Sequence, residues 1–314
     1  MTVRGGAGVP RRRHEKSTND SESENRMAGR DGRDPVIEVD GLRMAYGDVE
    51  VLRGVTLQAE RGEVLALLGP NGAGKTTTME IMEGLRRRSG GSVTVLGTDP
   101  ERADDRWRGR IGIVLQSWRD HSRWRAGELV RHMAGYHDQP RDPEEVMSDL
   151  GLASLAGREV RTLSGGQRRR LDLALALVGD PELVFLDEPT SGLDPAARRQ
   201  FHDLVAGLSG RGVTVLITTH DLAEAERLAD RVAILAGGGI AAIGAMSEFA
   251  ARARTALVRW IEDGVVRERE VDDAAGFVVE LHTRLGGRVP GLEVRRQTLE
   301  EIYLAVTASM GAGR

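Results

Sequence analysis

The chain has 314 residues, a mean hydropathy of −0.32 and a formal net charge of −4. Because it contains no cysteine, a disulfide framework and a thiolate metal site are both excluded. No apolar stretch approaches the roughly 18 residues that cross a bilayer, and arginines scattered among acidic residues argue against a dedicated nucleic-acid surface.

The first 34 residues mix glycine, serine, arginine and acidic residues without a hydrophobic period, so we expect residues 1–34 to be disordered. The basic run that ends at Arg13 precedes no apolar stretch and therefore does not form an export signal. Met27, shortly before the first predicted strand at residues 36–39, is an alternative start of translation to Met1.

Tyr46 follows this first strand and is one of only three tyrosines in the chain. It is a candidate platform on which a nucleotide base stacks, and packing within the core is the alternative interpretation.

A phosphate-binding loop is predicted between the apolar strand at residues 64–68 and a helical stretch that ends near Gly84. Its residues are Gly69, Pro70, Asn71, Gly72, Ala73, Gly74, Lys75 and Thr76, and Thr77 extends the candidate site into the helix. The glycines allow successive N–H groups to turn toward phosphate oxygens. We expect Lys75 to contact the β and γ phosphates of ATP, and the hydroxyl of Thr76 to hold Mg²⁺.

Lysine usage supports this interpretation of the loop. Only two of the 44 basic residues are lysines, Lys16 in the N-terminal segment and Lys75. A chain that uses arginine almost everywhere else keeps an ammonium group here, which suggests that a planar guanidinium does not fit.

Gln116 ends the apolar stretch at residues 111–115, and its amide oxygen is a candidate ligand for Mg²⁺ or a contact for the attacking water. By itself a glutamine at a strand end is a weak signal, because most glutamines are solvated.

A run of leucine, serine, two glycines and glutamine precedes a predicted helix at residues 167–178; it comprises Leu163, Ser164, Gly165, Gly166 and Gln167. Ser164 can cap the helix, and the glycine N–H groups and the helix dipole favour a polyanion. We interpret this signature segment as one half of a shared ATP site whose other half belongs to a second chain. The arginines that follow, residues 168–170, are expected to be solvated or to face that second chain.

Two acidic residues, Asp187 and Glu188, end the fully apolar strand at residues 183–186. At the carboxyl edge of an open α/β sheet, Asp187 is placed to hold the Mg²⁺ shell, and Glu188 to orient and deprotonate the attacking water. A capping role is the alternative for Glu188. His220, after the next apolar strand at residues 213–218, is expected at the same edge with a hydrogen bond to the γ phosphate.

These motifs, together with the turn that ends at Asp194, occur in an order that resembles the nucleotide-binding subunit of ABC transporters. The resemblance covers residues 35 to about 240. It implies an α/β P-loop NTPase cassette at residues 35–244, with a RecA-like core and an inserted helical subdomain at about residues 86–180.

The same resemblance implies partners. Two copies pack head to tail as a homodimer, so that the signature segment of one closes on the γ phosphate held by Lys75 of the other, with Asp194 where the copies meet. It further implies a separate transmembrane subunit, an ABC-2 type permease, at the cytoplasmic face of the cell membrane, and no nucleic-acid partner.

The chain departs from the family pattern at residues 117–125, which are aromatic and basic where the family is mostly apolar. In the family this region lines the groove that receives a helix of the membrane partner. One hypothesis is that Trp118 and Trp124 anchor that helix; local packing by both tryptophans is the alternative.

Residues 245–314 are predicted to form a small α+β accessory domain with three strands and two helices. Their end, residues 298–305, resembles the closing motif of drug and antibiotic exporter ATPases of the daunorubicin resistance type. This resemblance implies export of a drug or other amphipathic small molecule. An ABC importer, or a soluble ABC-type ATPase with a non-transport partner, remains as an alternative.

Overall fold

The computed structural model describes residues 35–116, 121–252, 256–296, 301 and 303. The predicted disordered segment, Trp118 and most of the predicted closing motif lie outside the described residues.

The strands of the described residues are β1 Pro35–Tyr46, β2 Val49–Glu60, β3 Val64–Leu68, β4 Gly90–Val95, β5 Ile111–Val114, β6 Leu183–Asp187, β7 Thr214–Thr219, β8 Arg231–Ala236, β9 Gly239–Ala245, β10 Ala256–Glu262, β11 Val265–Val271 and β12 Glu293–Arg296. The helices are α1 Lys75–Met82, α2 Asp105–Arg108, α3 Ala126–Ala134, α4 Pro143–Asp149, α5 Gly165–Leu177, α6 Pro195–Ser209, α7 Leu222–Leu228, α8 Met246–Arg252 and α9 Ala274–Arg284.

The central sheet has the strand order β5-β6-β7-β3-β8-β9 and is parallel except for β9, which runs antiparallel to β8. Strands β3, β6 and β7 are buried along their whole length, as their continuous apolar sequences predict. Since parallel strands end at one edge, the segments that follow β3, β5, β6 and β7 meet there.

The two faces of this sheet bury two separate sets of apolar side chains. Because successive residues of a strand point to opposite faces, Leu65 and Leu67 pack against the antiparallel sheet β2-β1-β4, whereas Ala66 and Leu68 pack against the helices. The functional edge is thus held between two buried layers.

The predicted start of the helical subdomain near residue 86 is too early. β4 pairs with β1 in the antiparallel sheet and β5 pairs with β6 in the central sheet, so both strands belong to the core. The helical part begins after Val114, where α3, α4 and α5 pack around Leu129 and Val146. The glycine- and serine-rich beginning of β4 gave no strand signal in the sequence.

The C-terminal part contains the predicted strands and helix. β11, β10 and β12 form an antiparallel sheet, and α9 packs on it through Phe277, whose ring centroid lies 5.5 Å from that of Trp260. Helix α8 does not belong to this unit, because Met246 and Phe249 are buried in the cassette core. The cassette core therefore extends past the predicted boundary at residue 244. Among the described helices, none has the length and apolar character needed to cross a membrane.

Candidate nucleotide site

The loop between β3 and α1 has a backbone that only glycine accommodates at key points. Gly74 caps α1 with φ +103°, in the left-handed region. A Cβ at Gly74 would lie 2.5 Å from Leu52 Cδ2, and one at Gly69 would lie 2.5 Å from the carbonyl oxygen of Leu235. The loop is therefore pressed between strands β2 and β8, with its N–H groups at the carboxyl edge of the sheet.

Lys75 is folded into this loop. Its Nζ donates hydrogen bonds to the carbonyl oxygens of Gly69, at 2.9 Å, and Pro70, at 3.3 Å, and the residue is only 5% exposed. An ammonium group with three donors can hold the loop and still reach a phosphate oxygen.

A set of oxygen atoms suited to Mg²⁺ lies beside the loop. Thr76 Oγ1 donates to Asp187 Oδ2 at 3.1 Å, and the hydroxyl of Thr218 donates to Asp187 Oδ1. Gln116 Nε2 donates to Glu188 Oε2 at 3.3 Å, which leaves the amide oxygen of Gln116 for another partner. Hydroxyl, carboxylate and amide oxygens are the ligands that a hard cation prefers, so these residues fit Mg²⁺. Thr218 was not predicted, because a threonine inside a buried strand has no distinctive sequence signal.

Glu188 has a strained backbone, with φ +41°. Its N–H donates to the carbonyl oxygen of Thr218 at 3.1 Å and to the hydroxyl of Thr218 at 3.0 Å. Its Oε1 lies 3.3 Å from Lys75 Nζ and 3.3 Å from His220 Nδ1. The carboxylate is thus aimed at the loop, as a base for a water beside phosphate must be.

These groups surround a cleft of about 610 Å³. The lining residues are Tyr46, Val51, Asn71, Gly72, Gly74, Lys75, Thr76, Thr77, Gln116, Glu188, Ser191 and His220. Val51 and Ser191 were not predicted as site residues. Asp187 lies behind the lining, in contact with Thr76. The structure therefore brings together the predicted phosphate, metal and water-activating residues.

Tyr46 is 42% exposed at the entrance of the cleft, which removes the core-packing alternative. Its hydroxyl lies 3.4 Å from Thr77 Oγ1, and the guanidinium carbon of Arg86 lies 5.1 Å from the ring centroid. A base that stacks on Tyr46 must use the other face of the ring or displace Arg86.

The signature segment and Asp194 do not line this cleft. Ser164 caps α5 as predicted: its Oγ accepts from the N–H of Gln167 at 3.3 Å, and Gln167 Oε1 accepts from the N–H of Ser164 at 3.0 Å. Asp194 caps α6 by accepting from the N–H groups of Ala196 and Ala197. Ser164 and Gly165 are exposed, so a helix N-terminus is presented to solvent at a place separate from the cleft.

The prediction that residues 168–170 form a solvated or subunit-facing patch is wrong for Arg169. This residue is 7% exposed, and its guanidinium donates to the carbonyl oxygens of Leu115, Asp187 and Pro189 at 2.5 to 3.0 Å. Arg169 therefore connects the segment before Gln116 to the end of β6 through buried and partly buried hydrogen bonds. Sequence reasoning failed here because the burial of one arginine in a run of three depends on which face of α5 packs on the sheet.

A second unpredicted group is Glu83, just after α1, which is 5% exposed. Burial, followed by the negative charges of Asp187 and Glu80, raises the pKa of Glu83 to about 8. The carboxyl group of Glu83 is therefore mostly protonated at neutral pH.

Trp124 is half-buried and packs against the apolar core of the helical part. Its ring centroid lies 4.8 Å from that of His132 and 5.7 Å from that of His121. These contacts support the local-packing interpretation of Trp124, while contact with a partner stays a hypothesis.

Comparison with known proteins gives a consistent result. A family model described as "ABC transporter" matches residues 52–191. A fluoroquinolones export ATP-binding protein of Mycobacterium tuberculosis is 35% identical over a 280-residue alignment, which covers 87% of this chain and 93% of that protein. A daunorubicin resistance ATP-binding protein of Streptomyces coeruleorubidus is 36% identical over a 309-residue alignment, which covers 87% of this chain and 96% of that protein. A daunorubicin/doxorubicin resistance ATP-binding protein of Streptomyces peucetius is 35% identical over a 303-residue alignment, which covers 86% of this chain and 92% of that protein.

Solved structures support the fold. An ATP binding subunit of an ABC transporter superposes with a TM-score of 0.65 at 24% identity, over 87% of this chain and 99% of that one. A dimeric ATP-binding cassette bound to ADP and Pi superposes with a TM-score of 0.61 at 24% identity, over 67% of this chain and 98% of that one.

Proposed function

The chain belongs to the family of ABC transporter ATP-binding proteins, and from that premise we propose that it is the motor subunit of an exporter. It hydrolyses ATP, and the work moves a drug or another amphipathic small molecule through a separate membrane subunit. The single observation that carries the ATPase assignment is the cleft in which the phosphate loop, Asp187, Glu188, Gln116 and His220 converge. Export is supported by relatives named for export or drug resistance, which match well beyond the cassette into the C-terminal part.

We assign the phosphate-binding roles as follows. Backbone N–H groups within residues 71–76, at the N-terminus of α1, bind the triphosphate, and Lys75 Nζ contacts its β and γ phosphates. Thr76, Asp187 and Gln116 would hold Mg²⁺, which neutralises phosphate charge when bound. The adenine ring stacks on the exposed face of Tyr46.

Glu188 acts on the water in this scheme. Its carboxylate accepts a proton from the water while the water oxygen forms a bond to the γ phosphorus. The bond from that phosphorus to the oxygen bridging to the β phosphate breaks, and ADP and phosphate are the products. His220 donates a hydrogen bond to the γ phosphate. Its Nδ1 lies 3.3 Å from Glu188 Oε1, which supports a position for both side chains beside the γ phosphorus.

The functional unit is a head-to-tail homodimer in this proposal. The exposed N-terminus of α5, with Ser164, Gly165, Gly166 and Gln167, closes on the phosphate bound in the partner copy, and Asp194 lies at the contact between copies. Its support is that the helix terminus is exposed and separate from the cleft of its own chain. A related cassette of the same fold is described as a dimer with ADP and Pi.

The membrane subunit is an ABC-2 type permease in this proposal, and the chain acts at the cytoplasmic face of the cell membrane. We propose to test export by expressing the chain together with a membrane subunit of the ABC-2 permease type and measuring intracellular daunorubicin fluorescence. We expect cells with the wild-type chain to accumulate less daunorubicin than cells with the Glu188→Gln variant. Unchanged accumulation would argue against a daunorubicin exporter, and higher accumulation would favour the importer alternative.

A further inference from the structure

We propose that Glu224 is a positioning residue for ATP hydrolysis, which holds the segments carrying Glu188 and His220 in register with helix α6. This inference rests on the roles proposed for Glu188 and His220. It concerns a buried polar cluster behind the cleft, formed by Glu224, Thr190, His202 and Thr219, whose members are each 2% to 4% exposed.

One carboxylate binds the other three members of this cluster. Thr190 Oγ1 donates to Glu224 Oε1 at 2.7 Å, and His202 Nε2 lies 3.0 Å from the same oxygen. Thr219 also hydrogen-bonds the side chain of Glu224. Burial acts to raise the pKa of Glu224, but the hydrogen bonds from His202, Thr219 and Thr190 leave that pKa below its ordinary value. Glu224 is therefore an anion at neutral pH.

The partners of Glu224 come from three different parts of the site. Thr190 is two residues after Glu188, and Thr219 directly precedes His220. His202 lies on α6, which begins immediately after Asp194. A displacement of any of these segments relative to α7 must therefore break a buried hydrogen bond.

Two further polar pairs connect α6 with α7 on either side of this cluster. Arg198 pairs with Asp221 at 2.8 Å, and Arg227 pairs with Asp203 at 2.9 Å. Both pairs are partly exposed, and such pairs contribute little to stability. Among these polar contacts between the two helices, those of Glu224 are thus the buried ones.

A positioning role explains why a charged cluster is kept at this place. A buried ionic cluster gives little net stability compared with apolar residues of the same volume, but it specifies one arrangement of its partners. Glu188 needs such a specification, because its backbone is strained at φ +41° and persists only if its surroundings hold it.

The proposal is tested by measuring kcat and KM for ATP in four variants. Thr190→Val removes the hydroxyl that donates to Glu224, whereas Thr190→Ser keeps a hydroxyl at the same position. Glu224→Gln removes the negative charge of the carboxylate. The matched control is Glu63→Gln. Glu63 is equally buried, accepts from the N–H of Glu60 at 2.7 Å, pairs with Arg231 at 3.1 Å, and lies at the amino end of β3, away from the cleft.

We expect Thr190→Val and Glu224→Gln to lower kcat by about ten- to a hundredfold, because small displacements of a catalytic group cost that much. KM for ATP should stay within about twofold, because uniform binding at the phosphate loop is untouched. Thr190→Ser should recover most of the turnover, and Glu63→Gln should keep it.

Unchanged kcat in Thr190→Val and Glu224→Gln would overturn the inference. So would equal losses in Thr190→Ser and Thr190→Val, or an equal loss in Glu63→Gln, since these would indicate a general packing effect. If Glu224→Gln does not fold, the pair of Thr190 variants decides the question. The proposed roles in hydrolysis are checked separately by Glu188→Gln. If Glu188→Gln hydrolyses ATP at the normal rate, the assignment of Glu188 fails. If Glu188→Gln is inactive while Thr190→Val and Glu224→Gln keep normal kcat, only the inference about Glu224 fails.

Discussion

Lys75 Nζ lies 3.3 Å from Glu188 Oε1, and both side chains are largely buried, at 5% and 11% exposed. The cation proposed to bind phosphate and the carboxylate proposed to act on water are thus in direct contact inside the cleft. A bound γ phosphate must share Lys75 with Glu188, so ATP binding and the freedom of the carboxylate are coupled by this one contact.

The first prediction is that Glu188→Gln keeps ATP bound but loses hydrolysis. The amide keeps the size of the side chain, removes the base and removes a negative charge beside the phosphate. We expect kcat to fall by about a hundred- to a thousandfold, within the range contributed by a positioned general base. The dissociation constant for ATP should be equal to or lower than that of the wild type. Fluorescent ATP titration and phosphate release measure the two quantities, and near-normal phosphate release would remove Glu188 as the base.

The second prediction is that Lys75→Arg does not replace the lysine despite keeping its charge. Nζ donates to two loop carbonyls and the residue is only 5% exposed, whereas a planar guanidinium has a different shape and a wider set of donors. We expect ATP affinity to fall at least tenfold, about 1.4 kcal/mol. The exposed Arg61→Lys variant is the control, because Arg61 pairs only with Glu182 on the surface among the contacts of the described residues. Equal affinity in Lys75→Arg and the wild type would show that the ammonium is not required.

The third prediction is that Arg169→Met destabilises the fold. The change leaves three carbonyl oxygens without this donor: those of Asp187 and Pro189, whose bonds are buried, and that of Leu115, whose bond is partly buried. We expect the free energy of unfolding to fall by about 2 kcal/mol, since each of the two unpaired buried groups costs about 1 kcal/mol or more. Arg108→Met is the control, because Arg108 is 59% exposed and its pair with Asp105 contributes little. Urea denaturation measures both, and equal stabilities would contradict the role assigned to Arg169.

The sequence predicts the strands and loops of the cleft well because their signals are local. Strand β3 is continuously apolar, a glycine-rich loop follows it, and an acidic pair ends β6. Since parallel strands end at one edge, sequence position alone then predicts that Lys75, Glu188 and His220 meet. In the structure, Lys75 Nζ and His220 Nδ1 each lie 3.3 Å from Glu188 Oε1.

The supporting groups could not be predicted in the same way. Arg169, Glu83 and Glu224 have no local pattern that separates them from the many solvated charges of this chain. Their burial follows from which face of a helix packs on the sheet, and that depends on residues far away in the sequence. The same limit explains the early boundary of the helical part, since the exposed, glycine-rich start of β4 becomes a strand only by pairing with β1.

The fourth prediction concerns Glu83, whose pKa is raised to about 8 in the folded chain. Between its unfolded value near 4.5 and about 8, the folded state holds a proton that the unfolded state has released. The contribution of this group to stability is therefore fully present below pH 4.5 and is lost as the pH rises toward 8, with a slope of up to about 1.4 kcal/mol per pH unit.

Glu83→Gln removes this titration. We expect the variant to gain stability relative to the wild type as the pH rises from 6 to about 8, and the difference to level off above that value. Urea denaturation at several pH values measures it. A difference between the two proteins that does not vary with pH would contradict the assignment.

The last prediction tests whether each site is shared between two copies. Gly165 can be replaced without a clash, because an added Cβ would meet only Leu193 Cδ2, at 3.8 Å, whereas one at Gly166 would lie 2.7 Å from Ala197 Cβ. Gly165→Asp therefore keeps the fold and places a negative charge where the helix N-terminus should face phosphate. Lys75→Met removes the other half of the site.

Each of these variants alone should be inactive, but an equal mixture of the two, exchanged under conditions that let the dimers reassort, should recover activity. Half of the dimers then contain one copy of each, and each mixed dimer has one site with an intact Lys75 and an intact Gly165, so we expect up to about a quarter of wild-type turnover. ATP hydrolysis measured before and after mixing gives the result. If the mixture is no more active than the two separate samples, each site lies within one chain, and the head-to-tail arrangement is wrong.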